Sequence, residues 1–587
     1  MIDYAYCPIG PADPSPDDQP ISRDPEPRMA TGARRKCLLG GGDTGKTTIL
    51  EAIALLLSPT NATVISDTDF WDREMEPGFC IEGVMSLPDA SLINHQAKQA
   101  WPWEWNGTEA VKPKAEEELT AGAAEEVYLL RVRGTAEFDL VYEIIQPDGN
   151  ADHLPVAVRR RIGLVRLSGD DRNDRDLRLL QGSALDRLLS DKALRSRLGQ
   201  KLAGTDVETE LKAEAKEALS KLDTSFQEQA LPTGLGLGLT GGQGFSVNAM
   251  IGLLATKDKV KLPLAAWGAG TRRLAALEIA AANQGENPIT VVDEVERGLE
   301  PYRQRGLMAD LQDSKSQVFA TTHSVAVIGA SSKASLWYVD AKGCIGRLPK
   351  TVAPLQRRDP ETFLARLAVI AEGVTEVGFV RALLARALDS DLLDHGLWIT
   401  DGGGNYQTLQ LLEDLLKSGL AFAGFADDEG DNPNKWQAVK KQIGPLLFRW
   451  PTGCLEENII KLVTNERLED FIKVPDGSSG NRLRTLADRL GIQNKDFVAI
   501  TKESNDLREL IIEAAAGKGQ SSNKNCTLNE KELKAHARIW FKHEEGGREL
   551  ADKVFSFGLW PDLEAQLLPF VNAILGAVSL PPVTKLQ

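Results

Sequence analysis

Gly40-Gly41-Gly42-Asp43-Thr44-Gly45-Lys46-Thr47 has the spacing G-x-x-x-x-G-K-[ST], set between an apolar strand and an apolar-periodic helix. Glycines let successive backbone N–H groups curl around phosphates, Lys46 supplies positive charge, and the Thr47 hydroxyl suits Mg²⁺ at the positive end of a helix. This spacing assigns Gly40, Gly42, Asp43, Thr44, Gly45, Lys46, Thr47 and Thr48 to the phosphates of ATP. Such a loop needs an acidic partner at the end of a neighbouring strand. Ile289-Thr290-Val291-Val292 ends in Asp293 and Glu294. Asp293 suits the metal, and Glu294 suits orienting or deprotonating the attacking water.

A second set of acids lies further along. Residues 366–371 read as a buried strand that delivers Glu372, and Glu376 follows one helical turn later on the same side. A strand at 397–400 ends in Asp401, and one at 421–426 ends in Asp427, Asp428, Glu429 and Asp431. Carboxyl ends of strands in open α/β sheets are where ligands bind. So many carboxylates brought together repel one another unless a divalent cation offsets their charge, and oxygen-only ligands select Mg²⁺ or Mn²⁺. Glu456, in Cys454-Leu455-Glu456-Glu457-Asn458 after a strand at 446–450, is either a further ligand or an acid placed against the start of a helix.

The elements that must position these groups divide the chain. Residues 1–182 and 231–350 read as two parts of an α/β ATPase domain, with a β meander between 58 and 165. Leu185, Leu188, Leu189, Leu194, Leu198, Leu211, Leu219 and Leu222 recur at helical intervals, so 183–230 is expected to be a helical dimerisation arm with apolar surface for a second copy. Gly234 to Gly244 is expected to break regular structure. Seven prolines in residues 8–27 exclude regular helix there, and 349–360 reads as a linker. A second α/β domain spans 361–475, and 476–587 is helical.

The chain has 587 residues, too many for one small core, and 42% hydrophobic with 26% charged residues fits a folded soluble protein. Lys and Arg number 68 against 84 acids, so the net charge of −16 excludes a wholesale polycationic nucleic-acid binder and leaves only focused contacts. Arg159-Arg160-Arg161 and Arg166 are candidates for a DNA-facing stripe, a solvated surface being the alternative. Six scattered cysteines with no C-x-x-C pair suggest neither disulfides nor zinc ribbons, which points to a reducing cytoplasm. No apolar run is long enough for a membrane span.

Glu294-Val295-Glu296-Arg297-Gly298-Leu299-Glu300-Pro301, followed by Ala320-Thr321-Thr322-His323-Ser324, resembles the Walker B, D-loop and switch-histidine order of ABC-type ATPases of the SMC and RecF kind. Trp267 to Arg273 resembles their signature loop, without its usual Ser, and no Gln stands out as a Q-loop. The resemblance implies a catalytic role for His323, contact of Gly268 and Gly270 with the nucleotide of a second copy, and a homodimer or larger even oligomer.

Glu372-Gly373-Val374-Thr375-Glu376 followed by Asp427-Asp428-Glu429 resembles a TOPRIM domain, a Rossmann-like fold. The combination is similar to the overcoming-lysogenization-defect (OLD) nucleases and, in architecture, to the A subunit of the Gabija anti-phage system. It implies ATP-controlled cleavage of DNA by two metals, with Glu372, Glu376, Asp427, Glu429, Asp431 and Glu456 as ligands, and a UvrD-like helicase partner. In the same resemblance Lys542 completes the nuclease site, the alternative being a surface lysine on an amphipathic helix. The usual opening strands are expected to be replaced by the proline-rich segment. The competing reading is an SMC- or RecF-like DNA-repair or DNA-organising ATPase with a non-catalytic TOPRIM-like scaffold; the retained acids speak against it. A topoisomerase or primase reading lacks support, because the sequence shows no strand-passage domain, zinc module or tyrosine in an active-site setting.

Overall fold

The computed structural model describes residues 2–7, 28–29, 35–42, 44–61, 63–86, 102–107, 109–113, 125–167, 175–180, 183–189, 207–239, 251–257, 259–282, 288–340, 343–474, 479–519 and 528–586. They form two compact units, Met1–Arg347 and Leu348–Gln587. Among the described residues no helix is long and apolar enough to cross a membrane.

Short, almost wholly buried runs build the central sheet of the first unit. Its order is Leu164–Leu167, Ile289–Val292, Gln317–Thr321, Arg35–Gly40, Ser335–Val339, Ile345–Arg347. The first five strands are parallel and the last is an antiparallel edge. Parallel strands covered on both faces need such unbroken apolar runs, and Ile289–Val292 and Gln317–Thr321 are buried throughout. The parallel register sets the end of Arg35–Gly40, hence the glycine loop, beside the ends of Ile289–Val292 and Gln317–Thr321. Helix Lys46–Leu56 follows at once.

The expected meander is an eight-stranded antiparallel sheet. It includes Ile2–Cys7 paired with Phe79–Met85, so an opening strand is present where a proline-rich replacement was expected. The prolines from Pro8 to Pro27 lie outside the described residues.

Three further expectations are corrected. Gly236 and Gly238 do not break structure, since strand Thr233–Leu239 pairs with Ile251–Lys257; the register shifts only between Thr233 and Gly236, where Gly234 has a φ of 75°. A Cβ at Gly236 would lie 2.0 Å from Glu208 Oε1, so the glycine permits close approach. Gly241, Gly242 and Gly244 lie outside the described residues. The leucine-rich segment forms helices Ala184–Leu189 and Ala213–Glu228, with Leu194 and Leu198 also outside. Leu185, Leu189, Leu211, Leu219 and Leu222 sink into the same core as Leu167, Val292 and Val318, and Leu188 packs against it. Each such burial contributes about 1.5–3 kcal/mol, which explains why the described part of this apolar stripe packs on its own sheet. Finally, the expected linker contains helix Ala353–Arg358, with Val352 and Leu355 buried.

The second unit carries a parallel sheet in the order Leu397–Asp401, Leu367–Ala371, Phe422–Ala426, Leu447–Arg449. All four carboxyl ends therefore emerge at one edge. The C-terminal helices share its core: Trp540, Phe541, Leu550, Phe570 and Ile574 pack with Phe379, Phe425 and Phe448. Helices Val374–Ala385 and Glu544–Ser556 meet at glycines. A Cβ on Gly378 would lie 1.9 Å from the Glu544 carbonyl oxygen, and one on Gly547 1.8 Å from that of Thr375. This close approach carries the turn before Glu544, and with it Lys542, to the sheet edge.

Candidate functional site

In the first unit the glycine loop closes on its own lysine. Gly45 adopts a left-handed φ of 90° at the start of helix Lys46–Leu56. Lys46 is buried, and its Nζ donates to the carbonyl oxygens of Gly40, at 3.2 Å, and Gly41. Thr44 Oγ1 donates to the Gly41 carbonyl, while Gly42 and Thr48 are exposed at the rim. Asp43 lies outside the described residues. The Thr47 hydroxyl is 3.2 Å from Asp293 Oδ1, which also accepts from Thr321 Oγ1 at 2.6 Å. The helix start, the ammonium, and a hydroxyl paired with a carboxylate form a donor set that fits a magnesium-bound triphosphate.

Glu294 follows Asp293 with a φ of 49°, an uncommon conformation for a residue with a side chain. Its N–H donates to Thr321 Oγ1 at 2.8 Å, and its side chain, 40% exposed, lies 3.3 Å from Arg297. Thr321 thus fixes both acids, a role the sequence reading missed. Glu296 holds the next loop: its two oxygens accept from Thr322 Oγ1 and the His323 N–H, both at 2.6 Å, and the His323 side chain stays exposed.

In the second unit the acids converge. Glu372 Oε2 accepts from the Asp427 N–H at 2.9 Å and from Asn405 Nδ2 at 2.8 Å; the same Asn405 amide reaches the Asp427 carbonyl at 3.2 Å. Asn405 thereby ties two strand ends together, and sequence reading missed it because Gly-Gly-Gly-Asn reads as a turn. Asp427 Oδ1 accepts from the Leu455 N–H at 3.0 Å, bringing helix Leu455–Ile460 and Glu456 to the centre. Lys542 Nζ lies 2.9 Å from the fully buried Glu456. Thr375 Oγ1 donates to the Phe541 carbonyl at 3.0 Å and anchors the turn that carries Lys542.

Burial dominates the electrostatics. It pushes the Glu376 carboxyl up to about 7, against the pull of Lys542. It raises Asp427 well above the carboxylate range, helped by Glu376, Glu456 and Glu372, and raises Glu372. Burial also works to lower Lys542, but Glu456 and Glu376 outweigh it and hold the ammonium charged. Glu376 Oε1 and Glu456 Oε2 are buried and accept no hydrogen bond among the described residues. Orphaned oxygens in a group of raised acids fit a divalent cation.

Several assigned residues stand apart from this group. Glu429 and Asp431 are exposed, because Asp428 Oδ1 accepts from the Gly430 N–H and pairs with Arg449, fixing the turn outward. Asp401 Oδ1 accepts from the Gly403 N–H in a local turn. Of the arginine stripe Arg159 is withdrawn while Arg160 and Arg161 stay exposed: Arg159 is fully buried, donates to the Ser58 carbonyl at 2.6 Å and stacks on Tyr142. Arg160 donates to the Pro59 carbonyl, and Arg166 pairs with Glu51.

Residues 146–329 match the family model described as "AAA domain, putative AbiEii toxin, Type IV TA system". The first unit carries a P-loop ATPase domain. Three solved structures are similar to the chain. A head domain of Smc bound to the C-terminal winged-helix domain of ScpA is 14% identical, with 55% of this chain and 91% of that one covered and a TM-score of 0.31. The Pyrococcus furiosus Smc head with an extended coiled coil, bound to the C-terminal domain of ScpA, gives 12%, 57%, 95% and 0.33. The SMC head of Thermotoga maritima gives 13%, 59%, 97% and 0.26. No curated protein matches the sequence.

Within this ATPase domain the signature-like helix Ala269–Ala281 is bound to the acidic strand end. Buried Arg273 donates to the carbonyl oxygens of Asp293 and, at 2.7 Å, Glu294. Gly270 is buried, and a Cβ there would lie 2.2 Å from the Gly298 carbonyl oxygen. Exposed Gly268 and Ala269 form the open face of that helix start.

Proposed function

We propose that the chain is an ATP-controlled, divalent-cation-dependent DNA endonuclease, with a TOPRIM-type second domain of the OLD kind and a use against invading DNA. One observation carries the reading: Glu372, Glu376, Asp427 and Glu456 are buried together around a single lysine at the carboxyl edge of a parallel sheet. A scaffold gains nothing from like charges held out of water, where each costs free energy unless paired. Mg²⁺ or Mn²⁺ held by these acids would supply charge for the phosphate and a reactive water.

The protein groups divide the remaining work. Asn405 and the Asp427 N–H orient Glu372, Glu376 shares the buried charge, and Lys542 offsets charge that develops on the scissile phosphate. For the second cation that the resemblance implies, we assign Glu429 and Asp431, which are exposed. In the ATPase domain Lys46, Thr47 and Asp293 hold the magnesium nucleotide, and Glu294 and His323 act at the attacking water. The open face at Gly268 is assigned to the nucleotide of a second copy, which makes the working form an even-numbered homo-oligomer. A UvrD-like helicase partner enters through the resemblance alone. Incubating the purified protein with supercoiled DNA and Mg²⁺ or Mn²⁺ tests the reading: nicked or linear product supports it, and intact DNA under all conditions opposes it.

A further inference from the structure

We propose that Cys454 is a ligand of the carboxylate centre, which therefore takes a thiophilic divalent cation of the zinc and cadmium class through Cys454 Sγ, Asp427 and Glu456. The inference rests on reading that centre as a cation site, and it goes further by naming a sulfur ligand and the ions that sulfur selects. One ligand atom from each of the three residues lies within 4.8 Å of the other two, and all three residues are buried. The fold builds the trio deliberately. Asp427 follows strand Phe422–Ala426, Cys454 immediately precedes helix Leu455–Ile460, Glu456 lies in its first turn, and the Leu455 N–H to Asp427 bond locks the two segments together.

A buried cysteine is ordinarily a small apolar filler. Cys37 and Cys80 fit that description, each lying within a strand. Cys454 differs, because its surroundings are carboxylates and an ammonium. The independent sign of a missing ligand is the pair of buried oxygens without donors, Glu376 Oε1 and Glu456 Oε2. Magnesium, which prefers oxygen and keeps its waters, gains nothing from sulfur. Zinc and cadmium bind two oxygens and one sulfur readily, and zinc lies above manganese in affinity for most sites. As the metal–sulfur bond forms, the thiol proton leaves to solvent, and Lys542 gives up its contact with Glu456. Such an ion holds Asp427 and Glu456 and so competes with the magnesium that the proposed nuclease uses.

Titration of Cd²⁺ into the metal-free full-length protein, followed by thiolate-to-cadmium charge-transfer absorption in the ultraviolet, tests this. The wild type should show a band that saturates at one equivalent, and Cys454→Ser should lose it with every other cysteine in place. Glu456→Gln keeps the thiol and should weaken the cadmium affinity about tenfold or more. Should Cys454→Ser fail to fold, anomalous diffraction from cadmium-soaked wild-type crystals decides: a peak at bonding distance from Cys454 Sγ supports the proposal. An unchanged band in Cys454→Ser, no stoichiometric band in the wild type, or a peak only at exposed Cys344 overturns it. Mn²⁺ binding to the wild type, measured in parallel, separates the two layers. Manganese binding without the cadmium band rejects only the sulfur ligand, whereas absence of both rejects the cation site itself.

Discussion

The ammonium of Lys542 sits 2.9 Å from the carboxylate of Glu456, a side chain with no exposed surface, across 86 residues of sequence. The lysine offsets part of the negative charge of the acids around it. Lys542→Met should therefore destabilise the second unit by about 2 kcal/mol without metal, less than a fully buried broken pair because the lysine keeps some exposure. Thermal melts read the loss, and millimolar Mg²⁺ should restore part of it. A variant as stable as wild type in chelator would contradict the charge balance.

The pH dependence has a definite sign. Glu376 titrates at about 7 in the fold against 4.5 ordinarily, so between these values the folded chain binds more protons than the unfolded one. Stability contributed by this group is full below about 4.5 and falls as pH rises through 7. Without metal the melting temperature of the second unit should decline across that window, and Glu376→Gln should flatten the decline. Saturating Mg²⁺, which favours the ionised acids, should remove it.

For the ATPase domain, Lys46→Ala should lose nucleotide affinity, whereas Glu294→Gln should bind ATP and hydrolyse it about a hundredfold more slowly. Nucleotide binding and phosphate release separate the two. Equal hydrolysis by Glu294→Gln and wild type would show that another group handles the water.

Glu296 grips the loop that carries His323, so under the proposed role of His323 it is a positioning residue. Glu296→Ala should lower kcat for ATP about tenfold with KM little changed, and Glu296→Gln, which still accepts hydrogen bonds, should recover much of it. A loss confined to KM would place Glu296 in nucleotide binding instead.

What the sequence disclosed followed locality. The glycine loop, the strand that ends in Asp293 and the strand that ends in Glu372 are short patterns whose flanks already state their geometry. Glu372 and Asp427 follow adjacent parallel strands, whose carboxyl ends share one edge, and Glu376 lies close enough to act on Asp427 electrostatically. Non-local contacts hid the rest. Arg159 is buried by Ser58 and Tyr142, Gly270 is buried against Gly298, and Arg449 holds Asp428 and its turn away from the centre. The leucines of 183–230 have the periodicity of an interface helix and of a core helix alike, and only the sheet beneath them decides.

The most direct test compares wild type, Glu372→Ala and Asp427→Ala on supercoiled and linear DNA with Mg²⁺ or Mn²⁺, after checking that each binds ATP equally. Cleavage by the wild type and none by either variant is the predicted result. Cleavage by both variants at the wild-type rate, or intact DNA with all three proteins, would contradict a nuclease centred on these acids.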